Sequence, residues 1–207
     1  MVYTIESQLF PCVDYFKNAI QGAHINIEQC EFFQKGSFRN RYVIAGANGL
    51  SFLTIPVSGG REQKTLIKEV KIDYSVNWSE KHFRSIRSSY NNSPFYQYYE
   101  DEVKDLLFSK EKFLLDLNIK ILVWLFKSLK INVILEFTDY FFPFLNEGID
   151  LRGTLLPKNF QDNDNNWKPL YPQVFEDRFG FQKNLSILDL LFCIGPNSLS
   201  LLEGSVR

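Results

Sequence analysis

The stretch HINIEQCE, residues 24–31, decides the fold, because its alternation of apolar and polar residues is typical of a half-buried strand. Residues 1–5 predict a first strand. Between the two, residues 12–22 predict a short helix that ends at a glycine. A strand, a short helix and a second strand, followed by helices, are the element order of a mixed α/β fold.

The rest of the sequence adds a hairpin, three central helices and a late helix. Strands are predicted at residues 42–45 and 50–57, and Asn48-Gly49 between them favours a tight turn with positive φ at both positions. Periodicity and helix breakers predict helices at 78–91, 94–110 (capped by Ser93) and 113–129, and a last helix from 184. Two further strands are predicted at 66–72 and 131–137, and a turn-rich segment at 138–183. We expect a single mixed α/β domain over residues 1–207, with N-terminal strands and a hairpin and with central and C-terminal helices.

Composition narrows the class of protein. The 207 residues carry a net charge of −1, so no excess of positive charge indicates a nucleic-acid partner. Three separated cysteines and two histidines predict neither a disulfide scaffold nor a metal site. Residues 1–20 lack a signal-peptide pattern, and the apolar stretch 119–134 contains three lysines, which argues against a membrane span. We expect a cytoplasmic protein; its oligomeric state stays open.

A candidate site follows the central strand. Arg39-Asn40-Arg41 offers fork-shaped donors that suit a carboxylate or phosphate, so we expect an anionic small molecule such as a nucleotide sugar or an acyl donor. Alternatively, the two arginines form ion pairs with Glu28, Glu31 or Asp14. No glycine-rich dinucleotide turn and no phosphate loop occurs in the sequence, and the cofactor is therefore unknown.

Two groups are candidates for acid–base chemistry. Glu28 and Glu31 would face opposite sides of a strand, so one of them would act as a base or an orienting group rather than both as a pair. His82 lies on a predicted helix one turn after Trp78 and could act as a general base or acid near neutral pH. The alternative is a histidine that packs against the sheet.

Further candidate residues come from both ends of the chain. Gln8 lies between the first strand and the first helix, where α/β folds bind ligands. Asp189 lies on an apolar helix face and needs a partner, which we expect to be Arg39, Arg41 or a backbone amide; the same geometry could orient a catalytic group. Tyr171 and Gln173 could contact a sugar or simply pack.

The sequence resembles the WbqC-like family through an ordered set of motifs. They are Gln8 with Pro11 and Tyr15, Ile27-Glu-Gln29, Arg39-Asn-Arg41, Asn48-Gly49, Thr54-Ile-Pro-Val57, Trp78 with His82, and Tyr90-Asn-Asn-Ser-Pro-Phe95. Asp150-Leu-Arg152, Tyr171-Pro-Gln-Val-Phe175 and residues 184–192 resemble the C-terminal pattern of the family's Bacteroidetes branch. The loop Ser7-Gln8-Leu9 and the strand end Glu28-Gln29 depart from the Met-Gln-Pro loop and the two aspartates that are common in the family.

This resemblance implies a role in surface glycans. The family, largely uncharacterised, occurs with genes for O-antigen and other lipopolysaccharide biosynthesis, and transfer of an amino-acid-like or acyl group to a sugar has been suggested for it. As a transferase, the protein would bring Glu28, Arg39, Arg41 and His82 to one substrate atom. The alternatives are a non-catalytic ligand-binding or scaffolding protein of a glycan-assembly pathway, and a distant nucleotidyltransferase-like enzyme.

Overall fold

The fold was analysed in a computed structural model that describes residues 2–22, 24–58, 64–145, 147–161, 167 and 169–205. The strands are β1 (Val2–Glu6), β2 (His24–Glu28), β3 (Arg41–Gly46), β4 (Gly49–Thr54), β5 (Ile134–Phe137) and β6 (Ile149–Asp150). The helices are α1 (Val13–Ala19), α2 (Trp78–Tyr90), α3 (Tyr96–Leu107), α4 (Leu114–Leu129), α5 (Glu176–Phe179), α6 (Ile187–Ile194) and α7 (Ser198–Gly204). The predicted mixed α/β class is confirmed.

Four strands form a parallel sheet in the order β5-β2-β1-β6. The chain begins in the middle at β1, adds β2 and β5 on one side, and then returns to add β6 on the other side of β1. The direction of growth therefore reverses between β1 and β6. In open parallel sheets, ligands bind outside the carboxyl ends of the strands at such a switch point.

The two faces of this sheet have different surroundings. One face consists of Tyr3, Ile5, Ile25 and Ile27, which are buried in the main hydrophobic core or at its margin, beneath α1. The opposite face carries mainly polar residues together with Val2, since side chains alternate along a strand. None of the described residues that line this second face belongs to a helix.

The predicted hairpin is present as β3 and β4, which pair antiparallel from Arg41 with Thr54 to Gly46 with Gly49. Its turn, however, is one residue earlier than predicted, at Ala47-Asn48. Only Gly49 has the positive φ, at 100°, whereas Asn48 does not. The hairpin packs on α2, and α2 packs on α3.

Two predicted boundaries were wrong, each for a local reason. Residues 66–72 do not form a strand, because single bridges join Leu66, Lys71 and Ile72 to three different segments and Ile67–Glu69 closes into a 3-10 turn. Ser93 does not cap the next helix. Its hydroxyl donates back to the Tyr90 carbonyl at 2.7 Å and so ends α2, while α3 begins at Tyr96.

The C-terminal helices complete the core. The stretch Ile187–Gly204 has a mean hydropathy of 1.3 and is, in length and composition alone, sufficient to cross a membrane. This stretch is the only one of its kind among the described residues, and 56% of it is buried inside the protein. Burial of this kind is what a core helix of a soluble protein shows, so the hydropathy is weak evidence for a membrane span.

Candidate functional site

The carboxyl ends of the central strands carry two buried glutamates. Glu6 ends β1 and Glu28 ends β2, and the two residues are direct neighbours in the sheet register. Their exposed fractions are 1% and 0%. Because a buried carboxylate is stable only when it is bonded, the partners of these two groups define what this edge of the sheet can do.

Glu28 is held by three donors. Its Oε1 accepts from the Cys30 amide at 2.8 Å and from the Thr138 hydroxyl at 2.7 Å, and its Oε2 accepts from Arg152 Nη1 at 2.9 Å. Arg152 also binds Asp150 through two hydrogen bonds, at 2.9 and 2.7 Å, which lower the pKa of that carboxyl. Glu28 thus fixes the Thr138 hydroxyl and the Arg152 guanidinium at one end of the sheet.

Arg152 lies over an aromatic ring at the same edge. Its guanidinium carbon is 5.1 Å from the centre of Phe141, a distance at which a cation and a ring attract. The side chain is only 9% exposed. The candidate site residues chosen from the sequence did not include Arg152, although Asp150-Leu-Arg152 is one of the motifs that resemble the family.

Gln8 belongs to this edge through Glu6. Its Nε2 donates to Glu6 Oε1 at 2.9 Å, and the Gly153 amide donates to Glu6 Oε2 at 2.8 Å. The other amide atom, Gln8 Oε1, is buried without a hydrogen-bond partner. The predicted position of Gln8 beside the strand ends is therefore what the structure shows, while its contact to a substrate stays a prediction.

Arg39 is engaged by Glu31. The guanidinium donates twice to the carboxylate, at 2.6 and 2.5 Å, and both side chains are buried. Burial raises the pKa of Glu31, although the hydrogen bonds from Arg39 act in the opposite direction. Arg39 Nη1 has no hydrogen-bond partner and is the only part of the guanidinium that remains available.

The arginine clamp predicted from Arg39 and Arg41 is wrong as a joint site. Arg39 points into the interior, whereas Arg41 donates to the Thr54 hydroxyl at 3.2 Å and lies over the Phe52 ring at the surface of the hairpin. Asn40, between them, donates to the Ile55 carbonyl and holds the start of the hairpin to the residue after β4.

His82 is buried away from the strand ends. Its Nε2 donates to the Thr54 carbonyl and its Nδ1 accepts from the Tyr42 hydroxyl, both at 3.3 Å, which is the pairing of a neutral ring. Burial lowers its pKa to about 4. Tyr42 and Arg41 are adjacent in β3, so His82 and Arg41 lie on opposite faces of the hairpin. The expected convergence of Glu28, Arg39, Arg41 and His82 on one atom does not occur.

Asp189 forms a separate buried network. It accepts from the Tyr90 hydroxyl at 2.8 Å, the Tyr171 hydroxyl at 2.9 Å and Gln173 Nε2 at 2.7 Å. Burial raises the pKa of Asp189, against the effect of these three donors. The expected pairing of Asp189 with Arg39, Arg41 or a backbone amide is wrong, because neutral side chains supply its hydrogen bonds. Tyr171 and Gln173 serve this network, and a contact to a sugar stays a prediction.

The backbone amides at the amino end of α1 also have hydrogen-bond partners within the protein. The Val13 amide donates to the Leu185 carbonyl at 3.0 Å, and the Asp14 amide donates to Asn184 Oδ1 at 2.8 Å. These contacts leave no free amides for a phosphate at the position that the nucleotidyltransferase-like alternative requires. Among the described residues, no group of three or more histidine, cysteine, aspartate or glutamate side chains could hold a metal ion.

The uncovered face of the sheet forms a groove with a volume of about 1140 Å³. Its floor is polar and includes Thr4, Asn26 and Glu136, which are aligned across β1, β2 and β5. Asn26 Oδ1 is buried and has no hydrogen-bond partner. Thr138 lines the groove as well, so its hydroxyl connects the groove to Glu28.

Aromatic side chains form one wall of the groove. Phe137, Tyr140 and Phe142 line it, and Tyr140 and Phe142 are 72% and 55% exposed. Parallel sheets are normally covered on both faces. An uncovered, largely polar face beside exposed rings is therefore the best candidate for a binding site among the described residues.

A family profile described as the WbqC-like protein family matches residues 6–151 of the chain. The chain belongs to the WbqC-like family. No significant match was found among curated proteins or among solved structures.

The matched part of this WbqC-like chain includes β2 to β6, Glu28, Arg39 and most of the groove. It ends one residue before Arg152. Asp189, Tyr171 and Gln173 lie outside it, and the assignment to a Bacteroidetes branch, which rests on that part of the sequence, stays a prediction.

Proposed function

We propose that this WbqC-like protein is a cytoplasmic group transferase of surface-polysaccharide (O-antigen) biosynthesis, which adds an amino-acid-like or acyl group to a sugar. The groove on the uncovered face of the parallel sheet is the observation that carries this proposal. It joins a polar floor and an aromatic wall, and it extends from Val2 and Gly148, at the amino ends of β1 and β6, to Asp139, which follows the carboxyl end of β5.

A sugar fits both surfaces of the groove. Its hydroxyl groups need donors and acceptors, which Thr4, Asn26 and Thr138 supply, while aromatic rings suit the apolar faces of a sugar ring. The unpartnered Asn26 Oδ1 supports occupancy. A buried acceptor without a bond costs about 1–3 kcal/mol, which a ligand hydroxyl would recover.

The transfer step uses the carboxyl end of the groove. A hydroxyl or amino group of the sugar attacks the acyl carbon of an activated donor, its proton passes to a carboxylate, and the donor's leaving group departs with the electrons of the broken bond. Asp139, which lines the groove, would take the proton. Glu28 would act as a positioning residue that holds Thr138 beside the groove.

A non-catalytic binding protein is the second candidate. The observation that favours it is the saturation of the predicted catalytic groups, because Glu28 and His82 are both buried and hydrogen-bonded within the protein. Such a protein would use the same groove to hold a glycan without acting on it.

A thermal-shift series with a product assay separates these functions. Glucose oligosaccharides, UDP-glucose, glycine and acetyl-coenzyme A are added to the wild type and to Thr138→Val, with Ser88→Ala on the exposed side of α2 as control. We expect a sugar to raise the Tm of the wild type and the control but not of Thr138→Val. Mass spectrometry of the sugar then detects the added acyl group.

The possible outcomes are distinct. A sugar-dependent Tm rise with an acylated product supports the transferase. A Tm rise without product from any activated donor supports the binding protein. No response to any sugar or nucleotide sugar contradicts both.

A further inference from the structure

The charge of the groove selects among possible sugars. Glu136, Asp139 and Glu147 line it, and no lysine, arginine or histidine is among the described lining residues. The whole chain has a net charge of only −1, so this concentration of negative charge is local. A groove of one sign raises the local concentration of ligands of the opposite sign.

The protein supplies few positively charged partners for these three carboxylates. Glu136 is 4.0 Å from His24 Nδ1, a contact that is ionic only when the histidine is protonated. Within the described part of the chain, no hydrogen bond or ion pair joins the carboxylates of Asp139 and Glu147 to another residue. Arg152, which lies at the carboxyl end of the sheet and does not line the groove, is engaged by Asp150 and Glu28.

The aromatic wall is compatible with a cation. Tyr140 and Phe142 line the groove alongside Asp139 and Glu147. Ring faces attract ammonium groups, and neighbouring carboxylates strengthen the same preference. Together, the aromatic wall and the acidic groups favour a ring-shaped ligand that has an apolar face and a positive charge.

We infer that the groove binds an amino sugar, that is, a sugar with a free, protonated amino group. The inference rests on the proposed function and defines the sugar that it uses. The ring lies against Tyr140 and Phe142, the hydroxyl groups contact Thr4 and Asn26, and the ammonium group is next to Asp139 or Glu147. A volume of about 1140 Å³ exceeds that of most small-molecule sites, so a short oligosaccharide fits.

The test compares three β-1,4-linked tetrasaccharides that differ at one ring position. Glucosamine tetramer carries free amines, N-acetylglucosamine tetramer carries neutral amides, and cellotetraose carries hydroxyls. We expect the Kd of the glucosamine tetramer, measured by calorimetry at pH 6.5 and low salt, to be about tenfold lower than that of cellotetraose. Asp139→Asn should narrow this ratio to about threefold or less, and Glu147→Gln provides a second variant.

Asp101→Asn is the matched control, because it removes the same charge from an exposed position on α3 outside the groove. It should leave the tenfold ratio unchanged. Equal affinities for the glucosamine tetramer and cellotetraose overturn the amino-sugar inference but leave the proposed sugar site intact. A ratio that falls equally in Asp139→Asn and Asp101→Asn also overturns the inference, since attraction would then be non-specific. If no tetrasaccharide binds, the sugar site itself is contradicted.

Discussion

The two faces of the parallel sheet are built from adjacent residues of the same strands but serve different purposes. Ile25 and Ile27 of β2 are almost fully buried in the core, whereas Asn26 between them faces the groove. Thr4 in β1 is likewise flanked by Tyr3 and Ile5. A parallel sheet gains stability when both of its faces are covered. That this one leaves a polar face uncovered indicates a binding surface kept at some cost in stability.

Substitutions on the covered face should have the largest effect on folding. Ile27→Ala removes a fully buried side chain from the core and should lower the free energy of unfolding by about 2–5 kcal/mol. Asn26→Leu, at the adjacent residue on the groove face, should not lower it and should raise it by up to about 1–3 kcal/mol, because it removes a buried acceptor that has no partner. Urea denaturation measures both. Similar losses in the two variants would show that the faces do not differ.

His82 should make the free energy of unfolding depend on pH, and it should not affect sugar binding in the groove. Its folded pKa of about 4 lies below the unfolded value near 6.5, so the unfolded state takes up a proton that the folded state resists. The contribution of neutral His82 is complete above pH 6.5 and is lost as the pH falls toward 4, by about 3 kcal/mol. His82→Gln should remove this part of the pH dependence while leaving sugar binding unchanged. A pH profile identical to that of the wild type would contradict the buried, neutral histidine.

Substitution of Glu28 should lower both the free energy of unfolding and the affinity of the groove for sugar. Glu28→Gln keeps the shape of the side chain but takes a charged partner from Arg152, which retains Asp150. We expect a loss of about 1.5–3 kcal/mol and weaker sugar binding, because Thr138 is no longer held as firmly. Glu80→Gln breaks the exposed ion pair with Arg84 and should cost less than about 1 kcal/mol. If Glu28→Gln binds sugar as tightly as the wild type, Glu28 does not contribute to the binding site.

Phe142 should have the smallest effect on folding and a clear effect on binding. Phe142→Ala changes an exposed ring and should alter the free energy of unfolding by less than about 0.5 kcal/mol. Its Kd for the glucosamine tetramer should rise several-fold, because a ring face is lost. Tyr98→Ala, which removes an exposed aromatic from α3 outside the groove, serves as control and should not change binding. Equal effects in the two variants would remove the aromatic wall from the site.

Local patterns in the sequence predicted much of the fold. Apolar spacing identified α2 and α4 nearly to their ends. The sheet order could not be predicted, because the pairing of β6 with β1 joins residues far apart in the chain and β6 has only two residues.

The candidate site was predicted in part. Glu28 was identified because it ends a strand, and the same rule applied to Glu6 and Thr138 would have found two of its neighbours. His82 was misleading, because one turn of helix from Trp78 places a histidine beside a ring in the core as readily as in a cleft. The groove itself depends on the lack of a covering helix in the described part of the chain, a property of the tertiary structure that no local pattern encodes.

The most direct test of the sugar site in the groove is an NMR titration of side-chain amides with the glucosamine tetramer. The account predicts that the Asn26 amide resonances shift in a saturable way, while those of Asn40, whose amide is bonded to Ile55 inside the protein, stay unchanged. Saturable binding that leaves the Asn26 resonances in place would contradict it.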